Sequence, residues 1–140
     1  MNKTKNCKII DLVRAFESCT LPRSQWTHGA HLIVALWYLM QYSEPEARHR
    51  IRNGIQRYNT AIGIPTTPTG GYHETLTQFW ISKVLHYLSC HAKTSSMDLL
   101  SEGLLEQYSD PNLPLTYYTR DRLFSKEARK TWVDPDLQPL

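Results

Sequence analysis

Two short polar clusters, each at the start of an apolar stretch, contain the side chains of this chain best suited to chemistry. The first holds His28 and His31, three residues apart, and the second is the string YHET at residues 72–75. Imidazole and carboxylate groups bind transition metals and transfer protons near neutral pH. The two clusters therefore predict one polar site in an otherwise apolar protein.

A metal centre is the first interpretation of these clusters. Residues three apart on a helix have Cβ atoms roughly 5–6 Å apart, so His28 and His31 can share one ion. His73 would supply a third nitrogen and leave one position open, as in catalytic zinc sites, and related sets hold iron. Glu74 would be a fourth ligand or the base that acts on a bound water. The pattern thus predicts a divalent zinc or iron ion and a hydrolytic or oxidative enzyme acting on a small molecule.

Aromatic residues flank both clusters. Trp26 lies two residues before His28, and Tyr72 directly precedes His73. We expect these two rings to form the wall of the pocket that binds the cofactor or substrate.

Two other interpretations use the same residues without a metal. A helix N-terminus carries a partial positive charge, which disfavours a cation, favours an anion and keeps imidazole neutral. Two converging helix starts would then form a non-enzymatic site for an anionic metabolite or a protein partner. Alternatively, the residues are structural: His28 caps its helix, His31 is a hydrogen-bonded core residue, and Glu74 is a capping partner. The HxxH spacing is too common to decide between these interpretations.

The clusters need helices to position them, and the apolar periodicity predicts an all-α chain. We expect five main helices, then a short one capped by Ser125 and an extended Pro-rich tail. They fall at residues 8–18, 27–41, 43–62, 73–91, 96–108 and 126–132, with the tail at 133–140. The second and fourth are apolar on nearly all sides, which places them in the core of a single-domain bundle spanning residues 1–140. Residues 115–119 are the one weak candidate for a strand.

Local signals mark the ends of these helices. Thr27 or Ser24 is expected to cap the second helix, and Ser95 or Ser96 the fifth. The string SEPE at residues 43–46 has the pattern of a capping box at the start of the third helix. Gly63 is expected to end that helix, as a glycine just past the last turn commonly does.

Composition places the chain among globular proteins. Its 140 residues are 41% apolar, and the net charge of +3 is too small to indicate a nucleic-acid partner. The longest apolar run, residues 32–40, is less than half of a membrane span, and the basic N-terminus lacks the apolar stretch of a signal peptide. Three scattered cysteines without a CxxC pair favour a reducing compartment. We therefore expect a cytoplasmic protein without a membrane partner.

Three strings carry a resemblance to a protein family. WTHGAHLIVALWYL, GYHETLTQFW and RLFSKEARKTWVDPDLQPL resemble sequences of small bacterial all-helical proteins to which no activity is assigned. The resemblance extends from about residue 16 to residue 140. It implies a compact helical unit in which His28, His31, His73 and Glu74 are the marked polar positions.

Overall fold

The computed structural model describes residues 2–91 and 96–140, with side chains from residue 8 onward. Seven α-helices occur in these ranges, and five of them have eleven residues or more. They are α1 (Asn2–Glu17), α2 (His28–Gln41), α3 (Glu44–Ala61), α4 (Glu74–Cys90), α5 (Met97–Gln107), α6 (Arg120–Leu123) and α7 (Lys126–Lys130). The described residues contain no strand, so the prediction of an all-helical chain is confirmed for them.

Side-chain caps fix the starts of three helices where the sequence placed them. Thr27 Oγ1 accepts the Ala30 N–H at 3.2 Å at the start of α2. Ser96 and Ser125 do the same for α5 and α7. The alternative cap Ser95 and the side chain of Cys7 lie outside the described residues.

Two local predictions were wrong. The capping box at α3 does not form: Ser43 makes no side-chain cap bond, and the Glu46 carboxylate binds Arg50 one turn later at 2.8 Å. The candidate strand at residues 115–119 is a 3₁₀ turn over Leu113–Thr116, followed by the start of α6. Its second residue, a proline, has the fixed φ that suits a first helical turn.

Helix α2 lies at the centre of the packing, in contact with α1, α3, α4 and α5. Seven of its residues are buried, in keeping with its almost uniformly apolar sequence. Beside it, the ring of Tyr58 is fully buried, and its hydroxyl donates to the Leu21 carbonyl at 2.7 Å. In the described part of the chain no helix is both long enough and apolar enough to cross a membrane.

The C-terminal segment forms a second apolar cluster against α4. Its buried members are Phe79, Tyr118, Leu123, Ala128 and Val133. The Tyr118 hydroxyl donates to the Val133 carbonyl at 2.7 Å, and the Leu137 N–H donates to the Tyr117 carbonyl at 2.9 Å. These bonds hold residues 133–137 along the body of the protein.

Arg129 ties the loop before α4 to α7. Only 9% of this residue is exposed, although it carries a charge. Its guanidinium donates to the carbonyls of Pro68, Gly71 and Tyr72 at 3.1–3.2 Å. Gly71 has a φ of +84°, and a Cβ there would lie 2.4 Å from the Pro65 carbonyl oxygen, so the loop conformation requires glycine. Arg129 thereby fixes the segment that leads into the second polar cluster.

Replacement of Arg129 by Met keeps the length of the side chain and removes its donors. We expect Arg129→Met to lower the free energy of unfolding by about 2 kcal/mol, since three carbonyls lose a charged hydrogen-bond partner. Urea unfolding monitored by circular dichroism measures the change. Lys130→Met on the exposed side of α7 is the matched control. Equal urea midpoints for the two variants would contradict the role of Arg129 in holding the loop.

Candidate ligand-binding site

One cavity of about 500 Å³ lies between α2, α3 and α4, and we call it the central cavity. Five of the six predicted site residues line it: Trp26, His28, His31, Tyr72 and His73. Residues of both polar clusters therefore line one cavity. The sixth residue, Glu74, is not among the lining residues.

Helical periodicity supplies the walls of the central cavity. Residues three or four apart share one face of a helix, and two such stripes face the cavity: His28, His31 and Ala35 on α2, and Ile51, Ile55 and Asn59 on α3. On α4 the lining residues are Leu76, Thr77, Trp80 and Ile81. Most of the surface is thus aliphatic or aromatic, with a few polar groups set into it.

His31 is held in one tautomer by the backbone. Its Nδ1 lies 2.6 Å from the Thr27 carbonyl oxygen, which can only accept, so Nδ1 carries the hydrogen. Its ring stacks on Trp26 with the centroids 3.7 Å apart. Burial lowers the pKa of His31 to about 4; the bond to Thr27 opposes this shift and the nearby His28 adds to it. The imidazole is neutral at pH 7, with Nε2 as a hydrogen-bond acceptor.

His28 is held by a carbonyl from another part of the chain. Its Nε2 lies 2.8 Å from the carbonyl oxygen of Tyr108, at the end of α5, and therefore carries the hydrogen. The edge of the ring meets Trp80 with the centroids 4.6 Å apart. Its Nδ1 makes no hydrogen bond to any residue that the structure describes. In the neutral ring this atom is a second acceptor, one helical turn from His31.

His73 uses both of its ring nitrogens within the fold. Nε2 donates to the Leu123 carbonyl at 2.7 Å, and Nδ1 accepts the Leu76 N–H at 3.1 Å as the N-cap of α4. Burial lowers its pKa, which keeps the ring in the neutral form that this pattern requires. His73 would have to release one of these bonds to bind a metal.

The three imidazoles line one cavity without forming a shared ligand set. Across residues 8–91 and 96–140, no three His, Cys, Asp or Glu side chains are grouped so that they could hold one ion. The predicted arrangement of His28, His31 and His73 around a metal is therefore not what the described residues form. A zinc or iron cofactor stays a prediction from the sequence.

Glu74 lies behind the wall of the central cavity. Its carboxylate accepts the Tyr72 hydroxyl at 2.6 Å, Arg52 Nε at 3.0 Å and the Gln78 amide at 2.9 Å. Burial raises the pKa of Glu74, but these three donors outweigh it and the net shift is downward. The carboxylate is therefore charged and fully engaged in orienting Tyr72. Its catalytic role stays a prediction.

Sequence reasoning missed two residues around this site. The side chain of Arg52 on α3 is 41% exposed, yet it pairs with the buried Glu74. Asn59 is 7% exposed and lines the central cavity. The spacing of residues could have indicated Asn59. It follows Ile51 and Ile55 at intervals of four residues, and it is the polar member of that helix face.

The central cavity has little to attract an anion. Among the described residues, none of those that line it is a lysine or arginine. The converging starts of α2 and α4 each have a backbone N–H already satisfied by a cap, from Thr27 and His73. Since the histidine at position 31 is neutral, the predicted site for an anionic metabolite lacks a full positive charge.

Comparisons with protein-family models, with curated proteins and with solved structures found no significant match. The resemblance of the three sequence strings to a bacterial helical family therefore stays a prediction. What the protein does has to be inferred from the geometry of the central cavity.

The lowered pKa of His31 makes stability depend on pH. The unfolded chain binds this proton near pH 6.5, whereas folded His31 binds it near pH 4. As the pH falls from 7 towards 4, proton uptake by the unfolded state removes roughly 3 kcal/mol of unfolding free energy. Urea unfolding at pH 7 and pH 4.5 should show this loss of unfolding free energy. In His31→Gln the difference between the two pH values should be smaller, and what remains of it includes the contribution of His73. His49→Gln, which removes an exposed imidazole, is the matched control; a pH dependence unchanged in His31→Gln would contradict the assignment.

Proposed function

We propose that this protein binds a small, uncharged, mainly aromatic molecule in the central cavity. The observation that carries the proposal is a cavity walled mainly by apolar and aromatic side chains and lined by two imidazoles, each of which a backbone carbonyl fixes through one ring nitrogen. Ligand cavities in proteins typically measure roughly 300–1,000 Å³ and combine apolar walls with a few placed polar groups. The central cavity, at about 500 Å³, falls within that range.

The chemistry of the walls supports a flat, neutral occupant. Trp26, Tyr72 and Trp80 offer ring surfaces and edges, which pack best against another ring. A charged ligand would lose its hydration without gaining a partner of opposite charge. A donor on the ligand, in contrast, finds an acceptor at His28 or His31.

Binding is better supported than catalysis. A general base works best when its pKa lies near the working pH, and the pKa of His31 is about 4. Glu74, the other predicted catalytic group, already accepts three hydrogen bonds. We therefore favour a non-enzymatic binding protein over the metal-dependent enzyme.

The remaining predictions complete this proposal. We propose one helical domain organised around the central cavity, working in the cytoplasm. The unpaired thiols of Cys19 and Cys90 support a reducing compartment.

Three probes separate the proposed ligand class from its competitors. We expect 2-naphthol, which is neutral and carries one donor, to raise the melting temperature and to give a saturable one-site isotherm in calorimetry. The anion 2-naphthoate should bind at least ten-fold more weakly. Stabilisation by zinc chloride alone would favour the metal enzyme, and stabilisation by 2-naphthoate alone would favour the anion site.

A bulkier side chain in the wall locates the binding. Ile55 lines the central cavity and is partly buried, so Ile55→Phe should fill part of it and weaken 2-naphthol binding at least ten-fold. Ile10→Phe makes the same chemical change at an exposed position on α1 and should leave the affinity unchanged. Equal affinities for the two variants would place the probe somewhere else.

A further inference from the structure

His86 and Cys90 form a pair of metal-binding side chains at the end of α4, outside the central cavity. They lie four residues apart, and Cys90 Sγ is 3.8 Å from His86 Nε2. Both residues are exposed, and the thiol is in no disulfide. Thiolate sulfur and imidazole nitrogen are the ligands that zinc takes most often in structural sites. The pair therefore has the chemistry of half a zinc site.

The separation of the two ligand atoms suits a single ion. Zinc bonds of about 2.3 Å to sulfur and about 2.0–2.1 Å to nitrogen, at a tetrahedral angle, place the two ligand atoms about 3.6 Å apart. The observed distance of 3.8 Å is close to this value. A small rotation of either side chain makes up the difference, so an ion can bridge the two atoms on the helix as it stands.

The fold makes no other use of these two side chains. Neither makes a hydrogen bond to another residue that the structure describes, and a thiol is only a weak hydrogen-bond donor to the imidazole. The neighbouring His91 differs, because its Nδ1 lies 2.8 Å from the Tyr87 carbonyl oxygen and its ring stacks on Tyr87. His86 and Cys90, in contrast to His91, can bind an ion without giving up a contact to the rest of the protein.

The end of α4 also suits a positive charge. The C-terminal end of a helix carries a partial negative charge, and Cys90 is the last residue of α4. The single cationic residue of this helix, Lys83, donates to the Tyr117 hydroxyl at 2.8 Å. The helix end therefore adds attraction for a metal ion to the two ligands.

We propose that His86 and Cys90 together bind one zinc ion on the surface of α4. On binding, the thiol releases its proton to the solvent, so that a thiolate and Nε2 of a neutral imidazole hold the ion. Zinc takes four ligands, and among the described residues no third His, Cys, Asp or Glu joins this pair. Water, or the same pair from a second copy of the chain, supplies the other two. The inference is independent of the ligand proposed for the central cavity.

Cobalt(II) is a spectroscopic probe for this site, because a thiolate bound to it gives a charge-transfer band in the near ultraviolet. Titration of the reduced protein with cobalt chloride should produce this band, and zinc chloride should remove it by displacing the cobalt. Cys90→Ser should abolish the band, and His86→Gln should weaken cobalt binding at least ten-fold. Both positions are exposed, so both variants should keep the melting temperature of the metal-free protein.

Sedimentation in the presence of zinc chloride identifies the source of the remaining ligands. One zinc ion per chain at unchanged mass means that water completes the site. One zinc ion per two chains at doubled mass means that a second copy completes it. Either result supports the pair as the ligand set, provided that Cys90→Ser loses the bound zinc.

Three control variants locate the metal. Cys19→Ser and His49→Gln remove the same types of side chain elsewhere and should keep the cobalt band. His31→Gln should keep it too, which separates this site from the central cavity. A wild-type protein without the band would overturn the inference. So would a band that survives in Cys90→Ser or one that disappears in His31→Gln.

Discussion

The hydrogen bond from imidazole to a backbone carbonyl is the interaction on which the central cavity depends. His28, His31 and His73 each donate to such a carbonyl, of Tyr108, Thr27 and Leu123 respectively. A carbonyl cannot donate, so each contact decides which ring nitrogen carries the hydrogen and leaves the other as an acceptor. For His73 that acceptor caps α4. For His28 and His31 the second nitrogen makes no hydrogen bond to any residue that the structure describes.

A buried network holds the walls in place around these rings. The Glu74 carboxylate accepts from Tyr72, from Arg52 on α3 and from Gln78 on α4, so one charge joins both helices to the loop between them. Removing a single partner from such a group leaves a desolvated charge, which makes the network stable only as a unit. Tyr72 is thereby held against the cavity before any ligand arrives. A wall fixed in advance lowers the ordering entropy that binding must overcome.

The sequence predicted the helices because they follow from local rules. Thr27 and Ser125 are caps by residue type and position. An amphipathic helix has to turn its apolar face inward, and a helix that is apolar on all sides has to lie in the core. The partners of the histidines were out of reach, since the carbonyls of Tyr108 and Leu123 lie 80 and 50 residues away from the rings that they hold. The buried position of Arg129 was out of reach for the same reason, since its acceptors are carbonyls of a loop 57–61 residues earlier. Side-chain type predicts an interaction partner poorly when that partner is a backbone atom brought close only by the complete fold.

The pair His28 and His31 therefore supports one interpretation from the sequence alone and a different one from the folded structure. Two imidazoles at HxxH spacing predict a metal site when a third ligand and a carboxylate join them. In the structure, however, both ring nitrogens of His73 are hydrogen-bonded to backbone groups. The Glu74 carboxylate accepts hydrogen bonds from Tyr72, Arg52 and Gln78. What remains is a cavity with mostly apolar walls, lined by two imidazoles that a backbone carbonyl fixes and by the amide of Asn59. An anion would meet lone pairs there, and a cation would meet two nitrogens and apolar walls. A neutral molecule with donors on its edge is the occupant that satisfies these groups while leaving the rest of its surface against aromatic and aliphatic side chains.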